Sequence, residues 1–309
     1  MLVESRKYKD TVFRMLYNNK QALLELYNAL NNTDYSNPDN LTITTLEGNT
    51  YLNMKNDVSF ILNFELNLFE HQSTPCPNIP LRNLYYIAAS YMNIIPITKT
   101  YRDSIIKIPT PRFFVFYNGT HPMKDITEYK LSDLFSNPLQ KTALELTTTV
   151  YNVNEGHNAE LMKASKTLKG YSIFVAKVRK YKEIVEEKYN SSHKTSLNLL
   201  VDKEDVLKEL ISEAVAKAID ECIDENILKD FFITYRQEVI RMSILEYTAE
   251  GHIKELQDES YENGVNSGIK NTTDLFSWLI TNNRMSDIEK AVNDSSYLNQ
   301  LFEEFNNQK

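Results

Sequence analysis

Glycine and proline are scarce in this chain, 7 and 9 of 309 residues. These two residues punctuate a backbone, so their scarcity favours long helices over a succession of tight turns. Cysteine is rarer still. Cys76 and Cys222 lie far apart without metal-type spacing, and two lone thiols in a chain of this length suggest a reducing compartment. Basic charge is in deficit: 34 Lys and Arg against 42 Asp and Glu leave a formal net charge of -8. That argues against a protein that simply coats nucleic acid, although a local basic face can coexist with acidic segments elsewhere. No apolar run approaches the roughly 20 residues that span a bilayer. The first residues, interrupted by Glu4, Arg6, Lys7 and Asp10, do not read as a signal peptide, so the cytoplasm is the expected compartment and no membrane partner is expected. The chain has no glycine-rich phosphate loop and no nucleophile-elbow serine, which makes a nucleotide-driven motor or a serine hydrolase a poor fit. Its five histidines, His71, His121, His157, His193 and His252, show no zinc-type spacing.

What is present is ordinary for a globular protein, 42% apolar and 25% charged, and long enough for one core plus a second module. Phe13, Leu16, Tyr17, Leu23, Leu24, Tyr27 and Leu30 recur at mostly helical spacing and predict a helix from about Asp10 to Leu30. A β-rich block follows. Residues 41–46 have β-branched character, and residues 58–62 and 64–72 read as a hairpin turning near Asn63. A helix after Pro80 is expected to bury Leu81, Leu84, Tyr85, Ala88, Tyr91, Met92 and Ile95. Residues 112–117 read as a buried strand closed by Asn118-Gly119, and residues 143–153 as one more strand. Helix returns from Asn158 to about Tyr189, Ser191-Ser192-His193-Lys194-Thr195 is the best linker, and charged helices follow. Asparagine is abundant, but there is no internal repeat.

The chemistry concentrates in the hairpin. Strand side chains alternate faces, so Glu70 and Gln72 project from one side, and Asp57 on the neighbouring strand can converge on it. Two carboxylates and a polar partner around one point can hold a divalent metal and orient a water. Glu65, five residues before Glu70, belongs to the opposite face, and His71, between Glu70 and Gln72, also turns away and reads as structural. Asp10 reads either as a first-turn acid that complements a helix dipole or as an additional acid at the site. The best basic surface is Lys163, Lys166 and Lys169 with the lysines after them, either a solvated helix face or a phosphate-contacting one.

Helix, three strands, helix, strand, with acids on the second and third strands, resembles the PD-(D/E)XK nuclease superfamily. The segments that carry the likeness are 8–14 (Tyr-Lys-Asp-Thr-Val-Phe-Arg), Asn56-Asp57-Val58, Glu70-His71-Gln72-Ser73 and residues 113–119, which end Tyr117-Asn118-Gly119. Over about the first two-thirds of the chain it is most similar to the recombination-promoting nucleases, also called PD-(D/E)XK nuclease family transposases. The resemblance implies an α/β, restriction-endonuclease-like core at residues 1–190 and a helical C-terminal region at 201–309. It implies Asp57 and Glu70 as ligands of Mg²⁺, with Gln72 and Asp10 completing the catalytic group, and hydrolysis of DNA phosphodiester bonds. Where the superfamily often carries lysine this chain has Gln72, as the related branch also does; an amide orients water but supplies no charge. The competing expectation is a nuclease fold without turnover, kept as a DNA-binding or protein-interaction module. The apolar stripes of the C-terminal helices must be buried, against the first domain or against another copy of the chain, which makes those helices the candidate route to a homo-oligomer.

Overall fold

The computed structural model describes residues 11–46, 56–137, 142–193 and 203–306. Asp10 lies outside the described residues. Six strands, β1 (Thr42–Ile43), β2 (Val58–Leu62), β3 (Glu65–Gln72), β4 (Thr110–Tyr117), β5 (Ile126–Lys130) and β6 (Thr147–Asn152), form one mixed sheet in the order β1-β2-β3-β4-β6-β5, within an α/β fold. β2 and β3 form the expected antiparallel hairpin, with Val58 opposite Phe69 and Leu62 opposite Glu65. Its turn places Asn63 and Phe64 at φ of 50° and 62°, the left-handed pair that a two-residue hairpin loop requires. The Phe64 side chain is 84% exposed there. β3, β4 and β6 run parallel; β3 is buried along most of its length, and so is the continuous apolar run of β4 at residues 113–117. β5 is a short antiparallel edge strand on β6. Hydrophobic patterning does not predict it, because Ile-Thr-Glu-Tyr-Lys is mostly polar, as an edge strand can be.

Helices cover both faces. On one lie α1 (Thr11–Tyr17), α2 (Lys20–Asn31), α4 (Ala159–Ala164), α5 (Lys166–His193) and α6 (Lys203–Asp224), around a core that joins Phe13, Leu23 and Leu24 to Phe60, Phe69, Phe116, Leu168 and Phe174. The single helix expected from Asp10 to Leu30 is divided: the Asn19 side chain accepts from the N–H groups of Gln21 and Ala22 at 2.8 and 3.2 Å and starts a new helix. The helix expected over 158–189 is divided too. Ser165 Oγ and the Thr167 N–H donate to Glu25 Oε1 at 2.7 and 2.9 Å, pinning the α4–α5 joint to α2.

On the other face lies α3 (Ile79–Ile94). Its buried side is Ile79, Asn83, Tyr86, Ile87, Ala89 and Ser90, whereas Leu81, Tyr85 and Met92, expected inside, are exposed. Hydrogen bonds make the polar choice tolerable. Asn83 Nδ2 donates to Thr148 Oγ1 at 2.9 Å, and Ser90 Oγ to the Tyr86 carbonyl at 2.8 Å.

The chain divides into two compact units, Met1–Thr248 and Ala249–Lys309, rather than near residues 190–201. α6 belongs to the first unit because its stripe, Ile211, Val215, Ala218, Ile219 and Cys222, is buried in the same core as Phe174 and Val178 of α5. Lys177 ties the two helices through Glu221 and Glu225 at 2.8 and 3.0 Å. The second unit packs the end of α7 (Lys229–Thr281), α8 (Met285–Asn293) and α9 (Ser295–Asn306) around Leu275, Leu279, Ala291, Leu301 and Phe305. The stripes of α6, α8 and α9 are thus buried within the chain. Among the described residues no helix is long and apolar enough to cross a membrane.

Candidate functional site

Extending the hairpin register one step beyond Val58 and Phe69 sets Asp57 opposite Glu70. The two acids meet there. The Asp57 N–H donates to Glu70 Oε1 at 3.3 Å, and the His71 N–H donates to Asp57 Oδ2 at 2.8 Å. Each carboxylate is therefore steered by the backbone of the other strand. Glu70 is buried and Asp57 half-buried. Gln72 follows on the Glu70 side of β3, 9% exposed, and its Nε2 has no hydrogen-bond partner among the described residues. A buried amide N–H without an acceptor is costly, on the order of 1–3 kcal/mol, and structures that keep one usually keep it for a ligand or a water.

One contributor lies outside what strand patterning reveals. Arg82 of α3 ion-pairs with Glu70 Oε2 at 3.3 Å and donates to Tyr86 Oη at 3.0 Å. Burial works most strongly against its charge, but Glu70 and Tyr86 outweigh burial and hold the guanidinium protonated. Tyr86 is pushed up to about 12, first by burial and then by Glu70. Arg82 is the one charged residue of α3, and that lone charge was the available signal. It brings a cation to Glu70 from a different element.

Strand parity holds in space. Glu65 faces the α1–α2 layer, where Tyr27 Oη donates to it at 2.8 Å and Arg112 at 3.3 Å. His71 faces the same layer. Its ring lies 5.2 Å from that of Phe13, and its Nε2 shares a 2.7 Å hydrogen bond with Tyr171 Oη. Tyr171 Oη in turn accepts from Asn118 Nδ2 at 2.9 Å. Lys163, Lys166 and Lys169 are exposed on α4 and the first turn of α5. Those helices pack on the opposite sheet face from Glu70 and Gln72, so the structure does not gather the lysines with the acids.

The donor set at Asp57 and Glu70 is hard oxygen. Among the described residues no group of three or more His, Cys, Asp and Glu side chains gathers as a metal site. A pair suffices for one class of ion, since Mg²⁺ is commonly held by one or two carboxylates with waters completing the octahedron. The chain matches no protein-family model, no curated protein and no solved structure.

Proposed function

We propose that this chain is a Mg²⁺-dependent DNA endonuclease with a restriction-endonuclease-like core, of the kind it resembles among the recombination-promoting nucleases. The observation that carries the reading is the convergence of Asp57 and Glu70 from adjacent antiparallel strands, each braced by a backbone N–H of the facing strand, with the Gln72 Nε2, unpartnered among the described residues, beside them. Asp57 and Glu70 would hold the cation with remaining lone pairs, since a carboxylate oxygen accepts more than one bond. A cation bound there supplies Lewis-acid polarisation of a phosphate and a lowered pKa for a ligated water. Gln72 Nε2 donates to that water or to a phosphate oxygen and so fixes its direction. Arg82 offsets the negative charge that gathers around Glu70 and sets its carboxylate plane. The test is nicking of supercoiled DNA by purified protein with and without Mg²⁺, beside Asp57→Ala. Metal-dependent nicking lost in the variant supports the reading, and equal nicking by both overturns it.

The second reading is a nuclease fold without turnover that binds DNA or protein. The Arg82–Glu70 ion pair favours it, because a carboxylate engaged by a guanidinium is a weaker metal ligand. DNA binding without metal-dependent nicking, at Mg²⁺ concentrations up to tens of millimolar, would select it.

A further inference from the structure

At the carboxyl ends of β4 and β6, on the α5 side, the sheet opens into a cleft of ≈ 490 Å³. That volume is in the range of small-molecule sites, and the carboxyl ends of parallel strands are where open α/β sheets bind ligands. The walls are stitched by asparagines. Asn152 Nδ2 donates to the Met123 carbonyl at 2.9 Å, Asn154 Nδ2 to the Gly119 carbonyl at 3.0 Å, and Asn158 Nδ2 to the Asp125 carbonyl at 2.6 Å. His157 Nδ1 meets Asp125 at 2.6 Å. At Gly119 a Cβ would lie 2.0 Å from the Ser73 carbonyl oxygen, so only glycine lets the β4 loop close against the end of β3. The abundance of asparagine finds a use here, as a set of clasps that preorganise one cavity.

Its inner wall is charged and under-occupied. Arg179 donates from Nη1 to Asn154 Oδ1 at 2.7 Å and from Nη2 to the Asn118 carbonyl. Both partners are neutral, and among the described residues no carboxylate pairs with Arg179. A guanidinium has five N–H donors, so three remain without an acceptor among the described residues. Asn118, 7% exposed, also lines the cleft, and its Oδ1 has no donor. Lys180 lies beside Arg179 on α5. The two acids of the lining, Glu155 and Glu183, are exposed, so water screens them, whereas Arg179 is half-buried. Val175 and Ala176 supply an apolar flank.

We propose that this cleft is an anion site for a phosphomonoester carried on a group with hydroxyl or amine donors and an apolar face, the chemistry of a nucleoside 5′-monophosphate. The fork of Arg179 takes the phosphate, with Lys180 closing on the second charge of the dianion. Asn118 Oδ1 accepts from the ligand's donor, and the ring rests on Val175 and Ala176. The phosphate has two sources, a free nucleotide or the phosphorylated end of a strand. The site stands apart from the acid pair, which points from the other sheet face, and does not depend on the nuclease reading.

Titration calorimetry on the full chain, in chelator, would use adenosine 5′-monophosphate, adenosine, and a trinucleotide with and without a 5′-phosphate. The monophosphate should bind and adenosine at least tenfold more weakly. The phosphorylated trinucleotide exceeding the mononucleotide assigns a strand end, and the reverse order a free nucleotide. Arg179→Gln should lose at least tenfold in affinity. Because Arg179 also braces two loops, Ala176→Phe fills the cleft without touching those bonds and should abolish binding in a protein whose melting stays cooperative. Asp57→Ala should bind as the parent does. No binding of either phosphorylated probe, or binding unchanged in Ala176→Phe, overturns the proposal.

Discussion

The carboxyl end of β3 and the carboxyl ends of β4 and β6 lie at one end of the same sheet, yet their electrostatics are opposite. The α3 side gathers two carboxylates, Asp57 and Glu70, with the Arg82 guanidinium paired to Glu70, and Gln72 Nε2 is a buried donor without an acceptor among the described residues. On the α5 side donors are in excess: Arg179 held only by neutral oxygens, and an orphaned acceptor, Asn118 Oδ1. The first side presents carboxylate oxygens, to which a cation is the complement, and the second a guanidinium, to which an anion is. The thickness of the sheet lets both persist. Opposite charges that met directly would neutralise each other, and neither side would keep its sign. The two are joined by the Asn118 N–H, which donates to the Gln72 carbonyl at 3.0 Å, and by a buried polar chain from the His71 backbone at Asp57 through the His71 ring and Tyr171 Oη to Asn118.

The comparison breaks most easily at the acids. If the α3 side is the reacting one, Glu70→Ala should lower Mg²⁺-dependent cleavage at least about a hundredfold, the scale of removing one electrostatic interaction with a transition state. Arg179→Gln should leave the cleavage rate within a few-fold. A variant at Arg179 that fails as badly as one at Glu70, while still folded, would merge the two sides into one site.

The buried chain between them gives the next largest effect. Tyr171→Phe removes the hydrogen bonds to the His71 ring and the Asn118 amide together, and should cost about 1–3 kcal/mol in urea unfolding. A change below the error of that measurement would mean that the chain is ornament and the two sides are independent.

Gln72 separates stability from function. Gln72→Leu removes a buried donor without a partner, so it should raise stability by about 1 kcal/mol while cleavage falls. Gln72→Lys should retain or raise cleavage. If leucine cleaves like the parent, the amide has no part in the chemistry and its unpaired N–H needs another explanation.

The acids were legible in the sequence, and the cleft was not. Period-two alternation put Glu70 and Gln72 on one face and Glu65 and His71 on the other, because a strand allows no other arrangement. α3 was misread at Leu81, Tyr85 and Met92, since hydrophobicity ranks Asn83 and Ser90 as surface and cannot see their hydrogen-bond partners. Arg82 reached Glu70 through that same unread face. Asn19 and Ser165 divided helices whose apolar spacing continued unbroken. Arg179 meets Asn118 across 61 residues of sequence, a distance that no local pattern reports.

Two smaller effects sharpen the contrast. Replacing Lys163, Lys166 and Lys169 together should weaken DNA binding without changing sequence preference. It should also flatten the dependence of log affinity on log salt, by roughly 0.9 for each phosphate that is no longer neutralised. Because these lysines lie on the α5 side, an unchanged slope would leave that side with the cleft as its only claim on phosphate. The last effect is alkaline. Tyr86 is raised from 10.0 to about 12 and Cys222 from 9.0 to about 12, each chiefly by burial. Stability from these groups is complete below about pH 9. It falls as pH rises toward 12, because the unfolded chain gives up its protons first. Urea midpoints measured across that range should decline, and Tyr86→Phe should lessen the decline above pH 10. A Tyr86→Phe curve parallel to the parent's would show that the phenol ionises alike in both states.

The hairpin that carries Asp57 and Glu70 has a bearing on the order of folding. Those residues are 13 apart and are joined by one two-residue turn, whereas β3 meets β4 only after α3 has been made and laid across the sheet. Local closure is fast, on the order of microseconds for a hairpin, and parallel pairing across long loops is slow. A growing chain therefore brings its two acids together while the residues of the cleft are still unsynthesised. Whatever the acids can do, they are in position to attempt before the fold around them is finished. The left-handed turn at Asn63 and Phe64 is what makes them so early.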